Sequence, residues 1–174
     1  IGTVGGGSDH VGFYTHVGVP SAGLSFGGAN GIYHSNYDTF RFFEQWSDTT
    51  FEHGPALVRV DGLLALRLAN ADIVPYDVAR YGTDIMQHVT SLERLGVDRG
   101  IDVRLDALRE AARAFTDAAR AFEVTRDRRL ANGSLDAAAL RDINTRLIAL
   151  EKAFIDERGL QDRPWSRSLY ASPD

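Results

Sequence analysis

Cysteine is absent from this chain, which rules out disulfides and thiolate metal sites. That absence leaves the redox compartment open, because a secreted protein can also lack cysteine. Lysine is nearly absent too: Lys152 stands alone among many arginines, a bias of genome composition rather than of function. Positive charge is in deficit, with a formal net charge of -5. That balance gives no basic footprint for nucleic acid and no polybasic patch for a membrane surface. No apolar run approaches the ~20 residues that span a bilayer. No signal peptide is visible, and the chain opens on Ile1 without an initiator methionine. This reads as an excised piece, with any targeting segment upstream.

What is present is ordinary for a globular protein: 174 residues, 44% hydrophobic and 25% charged. Such a length fits one domain or one and a half and can bury a core without staples. Two textures divide it. Residues 1 to about 40 are rich in glycine and aromatics, and those from about 47 onward are Ala, Leu, Arg and Asp/Glu at helical spacing.

In the first region Ser8-Asp9 is placed to cap a short helix through Tyr14 to Val17, ending at Gly18. After Val19-Pro20, Ser21 to Phe26 is a short strand candidate closed by Gly27-Gly28. Helix, turn and buried strand make the last unit of an α/β sheet whose remainder lies outside the chain. In the second region four helices are expected. The first runs from a Ser47-Asp48 cap toward Ala71, with a kink or restart at Gly54-Pro55. The second covers Asp77 to Leu95, and the third Arg104 to Leu130, stopped by Asn132-Gly133. The fourth opens at Ser134 or Asp136. It carries Leu140, Ile143, Leu147, Leu150 and Phe154, a narrow seam suited to packing within the chain or between chains. An antiparallel helical bundle follows.

The chemistry concentrates in Gly31-Ile32-Tyr33-His34-Ser35-Asn36-Tyr37-Asp38-Thr39. A catalytic zinc takes nitrogen and oxygen donors, typically three from protein plus a water. His34 can give one nitrogen, and Asp38 is near enough in sequence to accept the other ring N–H. Tyr33 brings a phenol that can stabilise an oxyanion. Ser35 and Thr39 can tie the loop by local hydrogen bonds. Spacing alone does not separate this from a lone histidine in a polar loop.

The stretch resembles the last zinc-ligand motif of the M28 metallopeptidases, a Tyr-His-Ser/Thr-x-x-Asp/Glu-Thr pattern. The likeness is to the glutamate carboxypeptidase II branch, which includes the non-catalytic transferrin receptor. Further patches in the same order carry it. They are Gly7-Ser8-Asp9 with Phe13 and Gly18-Val19-Pro20-Ser21; Phe51-Glu52 through Leu63–Ala69 to Pro75-Tyr76-Asp77; and Leu150–Asp156 with Gly159-Leu160, Asp162–Trp165 and Arg167. The resemblance implies that residues 1–46 are a C-terminal remnant of the catalytic α/β domain and 47–174 a helical, transferrin receptor-like dimerisation domain. It further implies that His34 binds one of two zinc ions and that Asp38 lies behind it. Tyr33 contacts the substrate carbonyl or tetrahedral intermediate, and Ser8 and Asp9 line the substrate pocket. The glutamate base and remaining ligands fall upstream in the family, and its chain continues past Asp174. The function implied is a co-catalytic zinc exopeptidase acting on peptides or dipeptides, with carboxypeptidase nearest and aminopeptidase open. This piece is then expected to be inactive alone, to bind zinc weakly or not at all, and to serve in homodimerisation. The alternative is a non-catalytic, receptor-like dimerisation or binding module. The family leans toward an extracellular or periplasmic location, sometimes through an upstream membrane anchor.

Other features read as ordinary. His10, His16, His53 and His88 are surface or packing residues, and Gly5-Gly6-Gly7 is a turn rather than a phosphate loop. Arg126 to Arg129 is a helix end, where cations suit the dipole. Trp165 and Tyr170 are expected as packing anchors. Asn30-Gly31 is expected to be a turn that differs from the family's.

Overall fold

The structure, a computed structural model, describes residues 5–27 and 31–170. Gly28 and Asn30, named above for their turns, lie outside the described residues. Four long helices are present: α1, His53–Ala69; α2, Val78–Arg99; α3, Asp106–Ala131; and α4, Ala137–Leu150. The chain forms two compact units. One comprises residues 5–20 with 73–170, and the other 21–27 with 31–72.

In the first unit, local chemistry sets the helix ends. The Asp77 carboxylate accepts the Arg80 N–H at 3.1 Å to start α2, and Asp136 accepts the Ala139 N–H at 2.8 Å to start α4. Gly100 ends α2 in the left-handed region at φ 66°. Gly133, at φ 59°, turns the chain after α3. Helices α2 and α3 are antiparallel. The Ala79 N–H meets the Glu123 carboxylate at one end, and Arg109 pairs with Glu93 at the other. Helix α4 and the residue after it are tied to this unit by the Val74 N–H to Asn144 at 2.8 Å and the Tyr81 hydroxyl to Glu151.

Ile73, Val78, Ala79, Ala119 and Leu147 form the core, with Phe115, Phe122, Leu140, Ile143 and Leu150 packed against it. Leu147 of the α4 seam is therefore buried inside the unit, while Leu140, Ile143 and Leu150 are half-buried. Val78, Phe122, Ile143, Arg146, Leu147 and Leu150 also leave an open groove of ≈ 250 Å³.

The N-terminal segment belongs to this unit. Gly12–Val17 is one wide turn, ended by Gly18 at φ 70°, whose N–H reaches the Phe13 carbonyl. Buried Thr15 gives its carbonyl to the N–H groups of Arg167 and Ser168 at 2.7 and 2.8 Å. The C-terminal stretch is thus stitched to the start of the chain.

Two expectations are corrected. Residues 21–26 are not a strand: among the described residues the ladder contacts are isolated bridges, Ile155 to Ser168 and Leu160 to Arg163. A strand needs a neighbour to take its hydrogen bonds, and the α/β remnant has none here. Of the kink or restart expected at Gly54-Pro55 the structure has the restart: the pair lies in the first turn of α1, where proline's missing N–H costs nothing. Trp165 is not a packing anchor: its indole is 64% exposed. Tyr170 does anchor, stacked near Tyr81 and Phe154.

In the second unit Thr39 caps a short helical stretch, Phe40–Phe42 continuing as a wider turn through Ser47. Buried Asp48 then caps α1, accepting the N–H groups of Glu52, His53 and Gly54. No apolar side chain is buried among the described residues of this unit. Among the described residues, no helix is long and apolar enough to cross a membrane.

Candidate functional site

Residues 31–39 form a tight loop built from successive turns. The Ser35 N–H bonds the Ile32 carbonyl at 2.9 Å, and the Asp38 N–H bonds the Ser35 carbonyl at 3.1 Å. Ser35 Oγ accepts the Tyr37 N–H, and Thr39 Oγ1 accepts the Phe42 N–H. Both hydroxyl ties expected of the loop are present. They are local bonds that short polar side chains make wherever helix or sheet does not claim the backbone.

His34 sits at φ 59° without being glycine. The left-handed region costs a residue with a Cβ roughly 1–2 kcal/mol, so something must hold it there. Two contacts do. The rings of Tyr33 and His34 stack with centroids 3.8 Å apart and planes inclined by 22°. The Asp38 carboxylate accepts the main-chain N–H of His34 at 3.2 Å. Tyr33, His34 and Asp38 are thus gathered in one place. Asp38 meets the histidine through the backbone, and the imidazole nitrogens carry no hydrogen bond to the described residues. All three side chains are exposed. Tyr33 and Asp38, with Ile32, Thr39, Phe42, Phe43 and Ser47, line a cleft of ≈ 190 Å³ beside them.

An exposed imidazole with open nitrogens is chemically apt as a zinc donor. His34 therefore fits as one ligand. No group of three or more His, Cys, Asp or Glu that could hold a metal occurs among the described residues. Ser8 and Asp9 lie in the other unit, exposed, with the Ser8 carbonyl accepting the Val11 N–H at 3.1 Å.

The other histidines have structural employment or face solvent. His10 bonds the Gly5 carbonyl and stacks on Tyr14; His16 bonds the Trp165 carbonyl; His88 is exposed. His53 Nδ1 bonds Asp48 at 2.9 Å. Burial resists ionisation of Asp48, but the His53 ring and three backbone N–H groups outweigh it and hold the pKa at about 2. Arg126 does more than end a helix. Its guanidinium bonds the Tyr76 carbonyl at 3.0 Å and lies over the Phe122 ring.

A polar cluster in the first unit is not foreshadowed by the sequence. The Tyr81 hydroxyl donates to buried Glu151, and the Tyr170 hydroxyl donates to Asp84 at 2.9 Å, itself paired with Arg80. Tyr81 stacks on Phe154 at 5.3 Å. Burial, then the carboxylate partners, push both phenols above their ordinary pKa, so they remain protonated donors. The cluster joins α2 to the C-terminal stretch. Its members are far apart in sequence and follow no local period, so no sequence signal links them.

Against known proteins, residues 103–174 match the transferrin receptor-like dimerisation domain. A protein of Arabidopsis thaliana named probable glutamate carboxypeptidase LAMP1 is 35% identical over 97% of this chain and 24% of its own length. The probable glutamate carboxypeptidase VP8 of Zea mays is 29% identical over 95% of this chain and 23% of its own. The aminopeptidase NAALADL1 of Rattus norvegicus is 29% identical over 98% of this chain and 24% of its own. The chain spans about a quarter of the length of the curated relatives it matches.

Proposed function

We infer that this chain is the C-terminal part of a zinc exopeptidase of the M28 type, a reading supported by the match of residues 103–174 to the transferrin receptor-like dimerisation domain and by the likeness to proteins named glutamate carboxypeptidase. In this reading residues 1–46 end the catalytic domain, and 47–174 form the dimerisation region that joins two copies. The observation that carries the catalytic half is His34: a left-handed, non-glycine histidine with open ring nitrogens, stacked on a tyrosine. Sparsely populated backbone of this kind persists where the surroundings over-determine it, often at functional sites.

His34 would donate one nitrogen to a two-zinc centre whose other ligands come from outside this chain. Zinc, when bound, polarises a carbonyl and lowers the pKa of a water. The chain's own contribution is then positional. Tyr33, 71% exposed, has its phenol O–H available to a substrate carbonyl as negative charge develops on it. Ser8 and Asp9 would line the substrate pocket. The substrate class is a peptide or dipeptide losing a terminal residue, and the relatives' names include both carboxypeptidase and aminopeptidase.

The test uses the full-length protein. Release of a terminal residue from short peptides is expected together with bound zinc, and His34→Ala should lower both. Full activity and full zinc content in His34→Ala would overturn the reading. Residues 1–174 alone are expected to be inactive, and calorimetric titration should show no tight zinc binding.

A second reading, a non-catalytic dimerisation module, is equally compatible with the matched domain. It predicts a full-length protein that dimerises and cleaves no peptide.

A further inference from the structure

We propose that Asp38 is a positioning residue for His34 that works through the main chain, by holding the left-handed backbone that aims the imidazole. The proposal rests on His34 being a metal ligand. Its basis is geometric. At position 34 the backbone is at φ 59°, a conformation that a histidine does not hold without support. The Asp38 carboxylate reaches back four residues to the His34 N–H at 3.2 Å, closing the loop across the residue in question. The Asp38 N–H is itself bound to the Ser35 carbonyl at 3.1 Å, which fixes where that carboxylate starts from.

The ring is held differently. Stacking on Tyr33 sets the plane of the imidazole but makes no hydrogen bond to its nitrogens. The two supports therefore act on different parts of the residue, Asp38 on the backbone and Tyr33 on the ring plane. This leaves both nitrogens open, one for a metal and one for an acceptor supplied by another part of the protein.

What this arrangement needs from Asp38 is an acceptor oxygen at the right reach, not a negative charge. That requirement separates it from a carboxylate that acts on the ring or the metal. The experiment measures zinc affinity in the full-length protein by competition with a chelator, alongside kcat and KM. Asp38→Ala should lower zinc affinity about 10- to 100-fold, the range for groups that orient a ligand. Asp38→Asn keeps a side-chain oxygen able to accept the His34 N–H and should stay close to the parent in affinity. Asp38→Leu, which keeps the volume and removes the oxygen, gives the same comparison if the alanine variant does not fold. In a His34→Ala background, Asp38→Ala should cause no further loss, because the ligand it positions is gone.

Loss in Asp38→Asn as deep as in Asp38→Ala would overturn the proposal in favour of a role for the charge. Unchanged zinc affinity in both Asp38→Ala and Asp38→Leu would overturn it outright while leaving His34 as a ligand. Unchanged zinc content in His34→Ala would remove the ligand reading and this proposal together.

Discussion

Replacing Gly82 with alanine should destabilise this protein, although alanine is the better helix former. Gly82 lies in α2 where that helix meets α3. A Cβ added there would stand 2.1 Å from Thr116 Oγ1, 2.9 Å from the Ala112 carbonyl oxygen and 3.2 Å from Thr116 Cβ. Helix propensity alone would favour the change by about 1 kcal/mol. Against it, the Thr116 hydroxyl must leave its place, where it donates to the Ala112 carbonyl at 2.7 Å in a buried position. Losing that bond costs about 1 kcal/mol. The Ala112 oxygen is backbone and cannot rotate aside, so the helices must separate, at ~1–3 kcal/mol for an overpacked site. The balance is a loss of about 1–3 kcal/mol. Urea unfolding followed by circular dichroism measures it, and the melting temperature should fall by roughly 2–4 °C per kcal/mol for a chain of this size. Gly62 in α1 is the control, since a Cβ there has nothing within 4 Å and should not destabilise. Thr116→Ala in the Gly82→Ala background should recover part of the loss, because the nearest obstruction is gone while the carbonyl remains. Equal or greater stability for Gly82→Ala would refute the close crossing of α2 and α3.

Other expectations follow from the same packing. Leu147→Ala should cost about 2–5 kcal/mol in denaturant unfolding, as a buried core truncation, and Leu147→Glu should abolish the helical signal rather than yield a helical monomer. Tyr81→Phe leaves the buried Glu151 carboxylate without its hydroxyl donor, and a loss of about 1–3 kcal/mol in thermal or urea unfolding is expected. The Asp48 pKa of about 2 lies below the ordinary 3.8, so ionised Asp48 stabilises the fold above about pH 4, and that contribution disappears as pH falls through 2. Asp48→Asn should therefore flatten the acid dependence of stability between those values, read from melting temperatures across a pH series.

Much of the helical organisation was legible in the chain. Asp48, Asp77 and Asp136 stand where caps belong, Asn132-Gly133 where a helix stops, and apolar residues recur every three or four, although α2 runs past the expected end at Leu95 to Arg99. These are local signals, set by which backbone groups lack partners at a helix end and by which side chains share a face. The Tyr-His-Ser stretch stood out for another reason: its residue types and order resemble a metal-ligand motif, and the structure gathers Tyr33, His34 and Asp38 in one loop. The sequence could not show that Ser21 to Phe26 would remain without strand pairing, because a strand depends on neighbours that the local residues do not specify. At Gly54-Pro55 it left a kink and a restart both open. The choice depended on Asp48 folding back onto the N–H groups of Glu52, His53 and Gly54.

The sequence by itself determined where helices start and stop, and which loop holds the imidazole, because capping, periodicity and residue type act over a few positions. Only the tertiary structure decided that Leu147 of the α4 seam is buried within its own unit and that Tyr81 meets Glu151. It also decided that Asp38 reaches the backbone of His34. Those outcomes depend on which surfaces and polar groups come together once the chain has folded, and no local pattern records that.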